Sequence, residues 1–113
     1  MRLAIFADIH ANRQAFSACL DFARGRGAER IICLGDIVGY GADPEWAVDT
    51  MMDLVADGAI AVMGNHDHAI GTPSESMNAV AQAAIEWTRG RLSRPQRRFL
   101  AELPLTRQED DRL

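Results

Sequence analysis

The spacing of apolar positions along the chain switches between two patterns, and these patterns predict its elements. Three short runs are almost continuously apolar, which is typical of strands buried on both faces of a parallel sheet. These runs are Leu3–Ala7, Arg30–Leu34 and Ala59–Met63. Between them the apolar positions recur at helical spacing, which predicts helices over about residues 11–26 and 44–56.

The order of these elements predicts an α/β fold of βαβαβ type. Because a helix joins each strand to the next, we expect a largely parallel sheet with right-handed crossovers and helices on both faces. Beyond His68 the pattern predicts a loop over residues 71–76 and helices over residues 77–91 and 93–101, the last one ending before Pro104. No repeat or linker divides the sequence, so residues 1–113 are predicted to be one domain.

Composition narrows the class of protein without naming a function. The 113 residues are 48% hydrophobic and 25% charged, as in an ordinary globular domain, and the net charge of −4 argues against nucleic acid as a partner. The sequence has no apolar segment of membrane-spanning length and starts on strand-like residues without a signal peptide. Cys19 and Cys33 form no CxxC pair and are expected to be buried free thiols. These features predict a cytoplasmic protein without a membrane partner.

Each predicted strand is followed by side chains that bind metals or move protons. The three stretches are Asp8-Ile-His10, Gly35-Asp36 and Gly64-Asn-His-Asp67. All three histidines of the chain, His10, His66 and His68, lie in or directly beside them. Because open α/β sheets bind ligands at the carboxyl ends of their strands, this confinement predicts a metal site at that edge.

The chemistry of these side chains favours a particular kind of ion. Asp8 and His10 point to the same side of an extended chain, and Asp36 has two oxygens with which to bridge two ions. Asn65 offers an amide oxygen, and His66 offers an acid or a hydrogen-bond donor. This mixed set suits Mn²⁺, Fe²⁺ or Zn²⁺, and two such ions about 3.5–4 Å apart would activate water for phosphoester hydrolysis.

Each motif by itself also has a plainer interpretation. Asp8 and Asp36 are equally typical of turns and helix caps, and His10 of a surface position. Tyr40 lies in the loop beside Asp36, where contact with a substrate and packing that orders the loop are both open.

Taken together, the three motifs resemble the calcineurin-like metallophosphoesterase family in its bacterial form. The resemblance rests on Asp8-Ile-His10, Gly35-Asp-Ile-Val-Gly-Tyr-Gly41 and Gly64-Asn-His-Asp67, each after a predicted strand and in this order. It implies the N-terminal half of the four-layer sandwich of that family. It also implies a hydrolase acting on a phosphomonoester, a phosphodiester or a nucleotide polyphosphate.

The resemblance assigns roles to six residues. The implied ligands of two divalent metal ions are Asp8, His10, Asp36 and Asn65. Among them Asp36 would bridge both ions. His66 would protonate the leaving group, and Asp67 would tune His66.

The sequence departs from the family pattern in its second half. The family places further ligand histidines after a later strand and in a Gly-His-x-His stretch, whereas this sequence has no histidine after His68. The domain is therefore expected to be truncated at its C-terminus, with a C-terminal half or a second copy completing the fold. The alternative is a catalytically inactive metal-binding or interaction module.

Overall fold

The structure is a computed structural model, and it describes residues 1–72 and 77–107. These residues contain three strands and five helices. The first three strands and two helices alternate as β1 (Leu3–Phe6), α1 (Arg13–Gly25), β2 (Arg30–Cys33), α2 (Pro44–Ala56) and β3 (Ile60–Ala61). Three helices follow, α3 (Asn65–Gly71), α4 (Ala79–Arg91) and α5 (Arg94–Ala101). The predicted α/β class is confirmed.

The strands form one parallel sheet in the order β1-β2-β3. Phe6 pairs with Cys33, and Cys33 pairs with Ala61, so the three carboxyl ends lie side by side. The ladder continues for one more bond on each side, because the Leu34 N–H donates to the Phe6 carbonyl at 2.8 Å and the Val62 N–H to the Cys33 carbonyl at 3.0 Å. This register places the three following loops at one edge of the sheet.

The helices follow the predicted apolar positions and have recognisable ends. Asn12 caps α1 by accepting a hydrogen bond from the Ala15 N–H at 3.1 Å, and Pro44 occupies the first turn of α2. Ser93 and Gln96 form a capping box at the start of α5. The buried faces of α1 and α2 supply part of the core, with the members Phe16, Leu20, Ala23, Ala47, Val48, Met51 and Leu54. The other elements and the loops after the strands complete it with residues such as Cys33, Ile70, Ile85 and Leu100.

Two details of the third strand differ from the prediction. The strand is two residues long instead of five, because the Met63 N–H leaves the sheet and donates to the Pro104 carbonyl at 2.7 Å. Immediately afterwards the chain forms α3, which the periodicity did not predict. Part of the predicted loop over 71–76, residues 73–76, lies outside the described residues.

The expectation that the first strand is buried on both faces is wrong. Ile5 of β1 is 60% exposed and Phe22 of α1 is 68% exposed, and both lie beside a groove of about 480 Å³ formed by these two elements. Cys19 lines the same groove and is exposed, so only Cys33 fits the prediction of buried thiols. Ile5, Cys19 and Phe22 are called here the β1–α1 face. Nothing within residues 1–72 and 77–107 covers it.

None of the helices in the described ranges has the combination of length and hydrophobicity that a bilayer crossing requires.

Candidate metal centre

The loops that follow β1 and β2 are joined to each other by backbone hydrogen bonds. Together with the residues after β3 they form the region that we call the strand-end edge, residues 7–12, 34–43 and 62–67. In the loop after β1, the N–H groups of His10 and Ala11 donate to the carbonyls of Asp36 and Ile37 at 2.9 and 2.8 Å. The first two strand-end loops therefore run side by side like an extension of the sheet.

Two carboxylates join the second loop to the third. Asp36 accepts a hydrogen bond from the His66 N–H at 2.9 Å. Asp67 accepts from the N–H groups of Ile37, Val38 and Gly64 at 2.9, 3.3 and 3.1 Å. Asp36 and Asp67, which the sequence analysis assigned to metal binding and catalysis, thus also fix the backbone of the site.

Glycine is required where the second and third loops touch. Gly35 has a φ of +106°, and a Cβ atom placed on it would lie 2.5 Å from the Gly64 nitrogen. A Cβ atom on Gly64 would in turn collide with the Asp36 carboxylate. Any side chain at either position would push the loops apart, which explains why a glycine precedes both Asp36 and Asn65.

The backbone of the strand-end edge is strained at the candidate ligands themselves. Asp8, His10 and Asp36 have φ values of 55°, 47° and 55°, in the left-handed region that residues other than glycine seldom adopt. Such conformations persist only where the surrounding structure holds them, and they concentrate at functional sites. Here the interloop hydrogen bonds supply that restraint.

Asp8, His10 and Asp36 converge as three candidate metal ligands. One ligand atom from each lies within 4.8 Å of the others. The His10 Nε2 atom is 3.7 Å from an Asp8 carboxylate oxygen and 4.0 Å from an Asp36 oxygen. Two carboxylates and an imidazole are a donor set that fits divalent ions such as Mn²⁺, Fe²⁺ and Zn²⁺.

A backbone carbonyl orients the His10 ring for that role. The His10 Nδ1 atom lies 3.0 Å from the Val38 carbonyl oxygen, which can only accept, so Nδ1 carries the proton. In the neutral ring Nε2 is then the nitrogen free to bind a metal, and it faces the two carboxylates. Metal-binding histidines are commonly fixed in this way. This contact leaves no signal in the sequence, because the acceptor belongs to the main chain of an apolar residue.

The His66 ring stands beside the three ligands. Its centroid is 4.9 Å from that of His10, and only 7% of the residue is exposed. Burial lowers the pKa of His66, while the Asp36 carboxylate opposes that shift. The structure therefore places a buried imidazole beside the Asp8, His10 and Asp36 group, and the proton-transfer role of His66 stays a prediction.

Family comparison decides to what class of proteins this arrangement belongs. The family model of calcineurin-like phosphoesterases matches residues 1–107, almost the whole chain. The chain belongs to the calcineurin-like phosphoesterase family. This confirms the resemblance drawn from the three sequence motifs.

Individual relatives support this membership over the same region. An uncharacterised protein of Methanocaldococcus jannaschii is 39% identical over 110 residues, which cover 96% of this chain and 44% of that protein. The crystal structure of a metallophosphoesterase from Sphaerobacter thermophilus is 40% identical with a TM-score of 0.75, over 92% of this chain and 42% of that one. A protein described as a candidate diadenosine tetraphosphatase is 25% identical with a TM-score of 0.67, over 91% and 43%. The chain thus spans less than half the length of these phosphoesterase relatives.

Asp67 is placed differently from the other candidate site residues. Its hydrogen bonds go to three backbone N–H groups rather than to the His66 imidazole. Burial raises the pKa of Asp67 to about 6, and the three N–H donors oppose the rise. Its predicted tuning of His66 has no direct hydrogen bond behind it in the structure and stays a prediction.

Asn65 and His68 are exposed residues of α3. Asn65 is exposed and begins α3 directly between Gly64, which packs on Asp36, and His66. That position keeps its predicted role as a ligand open to test. His68 is exposed on α3, and the structure does not group it with the three converging ligands.

Proposed function

We propose that this chain forms the metal-binding half of a metal-dependent phosphoesterase. The reaction would be hydrolysis of a phosphomonoester, a phosphodiester or a nucleotide polyphosphate, with two divalent ions as cofactors. The observation that carries the proposal is the convergence of Asp8, His10 and Asp36 beside a buried His66 ring.

The residues of the strand-end edge divide the work as follows. Asp8 and His10 would hold one ion, and Asp36 would use its two oxygens to hold both, with Asn65 on the second. When bound, the ions would supply Lewis-acid activation of water and of the phosphate oxygens. His66 would hold a proton beside the leaving oxygen and release it as the phosphorus–oxygen bond breaks. The exposed Asp8 side chain, 72% accessible, leaves this group open to a substrate.

The substrate, the partner and the location are finer parts of the same proposal. Similarity to a candidate diadenosine tetraphosphatase makes nucleotide polyphosphates the first class to test. A C-terminal half like that of the longer relatives, or a second copy, would supply the remaining metal ligands. We further propose that the protein acts in the cytoplasm, with Mn²⁺ as the first metal to test.

A second candidate function is a metal-binding module without turnover. The three converging ligands favour it, because three ligands hold a single ion more readily than a pair. In this alternative the strand-end edge binds one ion and His66 has no leaving group to protonate.

Metal content and activity measured on one sample distinguish the two functions. The purified chain is supplied with Mn²⁺, freed of excess metal, and tested on an aryl phosphate monoester. About two ions per chain with metal-dependent hydrolysis is the result expected for the phosphoesterase. One weakly held ion without hydrolysis would favour the module instead.

A further inference from the structure

Tyr40 occupies an unusual position in the second strand-end loop. It lies between Gly39 and Gly41 with a φ of +68°, a conformation that is rare for a bulky side chain. The residue is 53% exposed, so burial of its ring does not explain why the chain accepts this backbone. An outlier of this kind at a candidate site raises the question of what the ring contacts.

The Tyr40 ring contacts both imidazoles of the site. Its centroid is 4.8 Å from that of His66 and 5.4 Å from that of His10, with interplanar angles of 51° and 66°. The two histidine rings are themselves 4.9 Å apart at 75°. Three rings in mutual edge or tilted contact form one aromatic cluster at the site.

The neighbouring glycines bring Tyr40 into this cluster. A Cβ atom on Gly39 would collide with the His66 ring at Nδ1, and one on Gly41 would collide with the carbonyl of His10. The loop backbone therefore lies directly against both histidines. Only the side chain between the two glycines is left to pack on the rings.

The buried Nδ1 atom of the His66 ring is not held by a hydrogen bond in the part of the chain that the structure describes. Asp67, the neighbour best suited by sequence to orient the ring, gives its oxygens to backbone N–H groups. His10, by contrast, has the Val38 carbonyl at its Nδ1. The contacts that the structure shows around the His66 ring are the Tyr40 and His10 rings and the Gly39 backbone.

We propose that Tyr40 is a positioning residue, which holds the His10 and His66 imidazoles in their relative orientation through ring packing. The proposal rests on the proposed function only for its effect on metal binding and turnover. The ring geometry itself can be tested without either one.

The first test reads the ring geometry by NMR in the metal-free chain. The chain has only three histidines, so the imidazole signals can be assigned by substitution, and exposed His68 serves as an internal reference. In the unaltered chain we expect a nuclear Overhauser effect between the carbon-bound ring protons of His10 and His66. Tyr40→Phe is expected to keep it, and Tyr40→Leu is expected to lose most of it.

Two further variants control for the fold. Trp87→Leu removes a comparably exposed aromatic ring, 47% accessible, on α4, and is expected to leave the histidine signals unchanged. Tyr40→Asn removes the ring with a residue that tolerates positive φ, so it serves if Tyr40→Leu does not fold. Circular dichroism checks that each variant is folded.

The second test is the affinity for Mn²⁺, measured by calorimetry on the same proteins. Loss of a residue that orients a metal ligand costs about 10- to 100-fold in metal affinity, so Tyr40→Leu is expected to weaken Mn²⁺ binding by about tenfold and Tyr40→Phe by little. If the unaltered chain binds no Mn²⁺, the proposed function fails while the NMR result still decides the role of Tyr40. An unchanged Overhauser effect in Tyr40→Leu, or its equal loss in Tyr40→Phe, would overturn the proposal of ring packing.

Discussion

The strand-end edge and the β1–α1 face both adjoin the same three-stranded sheet, yet they differ in how far their side chains have found partners within the chain. At the strand-end edge, the first two loops exchange backbone hydrogen bonds, and two carboxylates join the third loop to the second. On the β1–α1 face, Ile5 and Phe22 are 60% and 68% exposed. Polar groups are thus hydrogen-bonded at the candidate site, while the apolar side chains of the β1–α1 face are exposed.

The difference teaches that the three loops of the candidate metal centre hold one another, whereas the described residues leave the β1–α1 face uncovered. Beyond these loops, the Met63 N–H is held by the Pro104 carbonyl. The longer relatives, of which this chain covers 42–44%, have more chain with which to cover apolar surface. An exposed apolar face of this kind typically marks an interaction surface.

The largest effect that would sharpen the comparison comes from two phenylalanines on α1. Phe16 is 3% exposed and contacts Phe6 edge-on at 5.3 Å, whereas Phe22 lies on the β1–α1 face. Phe16→Ala is expected to lower the free energy of unfolding by about 3–5 kcal/mol, since it leaves a cavity. Phe22→Ala is expected to change it by less than about 0.5 kcal/mol. Urea denaturation of both variants measures this, and equal losses would mean that the face is covered in solution.

The next largest effect breaks the strand-end edge at its centre. Asp36→Asn is expected to reduce Mn²⁺ affinity and any phosphatase activity by about 100-fold or more, because a neutral amide replaces the proposed bridging carboxylate. Calorimetry and aryl phosphate hydrolysis measure the two losses. Asp53→Asn, an exposed position on α2, is the matched control. Two bound metals and near-full activity in Asp36→Asn would rule out the dinuclear assignment.

The smallest of these effects is a pH dependence that belongs to the strand-end edge alone. Burial raises the pKa of Asp67 to about 6, so the metal-free folded state holds this proton after the unfolded state has released it. Stability due to Asp67 is therefore complete below the unfolded pKa near 4 and is lost as the pH rises through about 6. The loss amounts to about 2–3 kcal/mol.

Comparison with Asp67→Asn isolates this contribution from the other titrating groups. Urea denaturation of the metal-free proteins at pH 4, 5, 6 and 7 gives the free energy of unfolding of each. The unaltered chain is expected to lose stability relative to Asp67→Asn over this range. Parallel curves would show that the three backbone donors to Asp67 already compensate for its burial.

Much of the fold could be read from local periodicity. The helical apolar spacing predicted helices over about residues 11–26 and 44–56, where the structure has α1 and α2. Helix α3 was not predicted, because its first turn consists of Asn65, His66 and Asp67. The oxygens and nitrogens of these side chains equally suit a ligand-bearing loop. The helical start of α3 depends on the Gly64 N–H donating to Asp67, and Asp67 is held in turn by the second loop.

The sequence by itself determined the βαβαβ order, the family and the set of residues at the strand ends. These follow from hydrophobic periodicity and from motifs that are contiguous in the chain. Tertiary structure alone decided that Val38 orients His10, that Asp67 serves the backbone, and that Tyr40 packs on two histidines. The exposure of the β1–α1 face was likewise decided by the tertiary structure alone. Each of these depends on contacts between distant segments or on main-chain atoms, and neither leaves a pattern in the order of side chains.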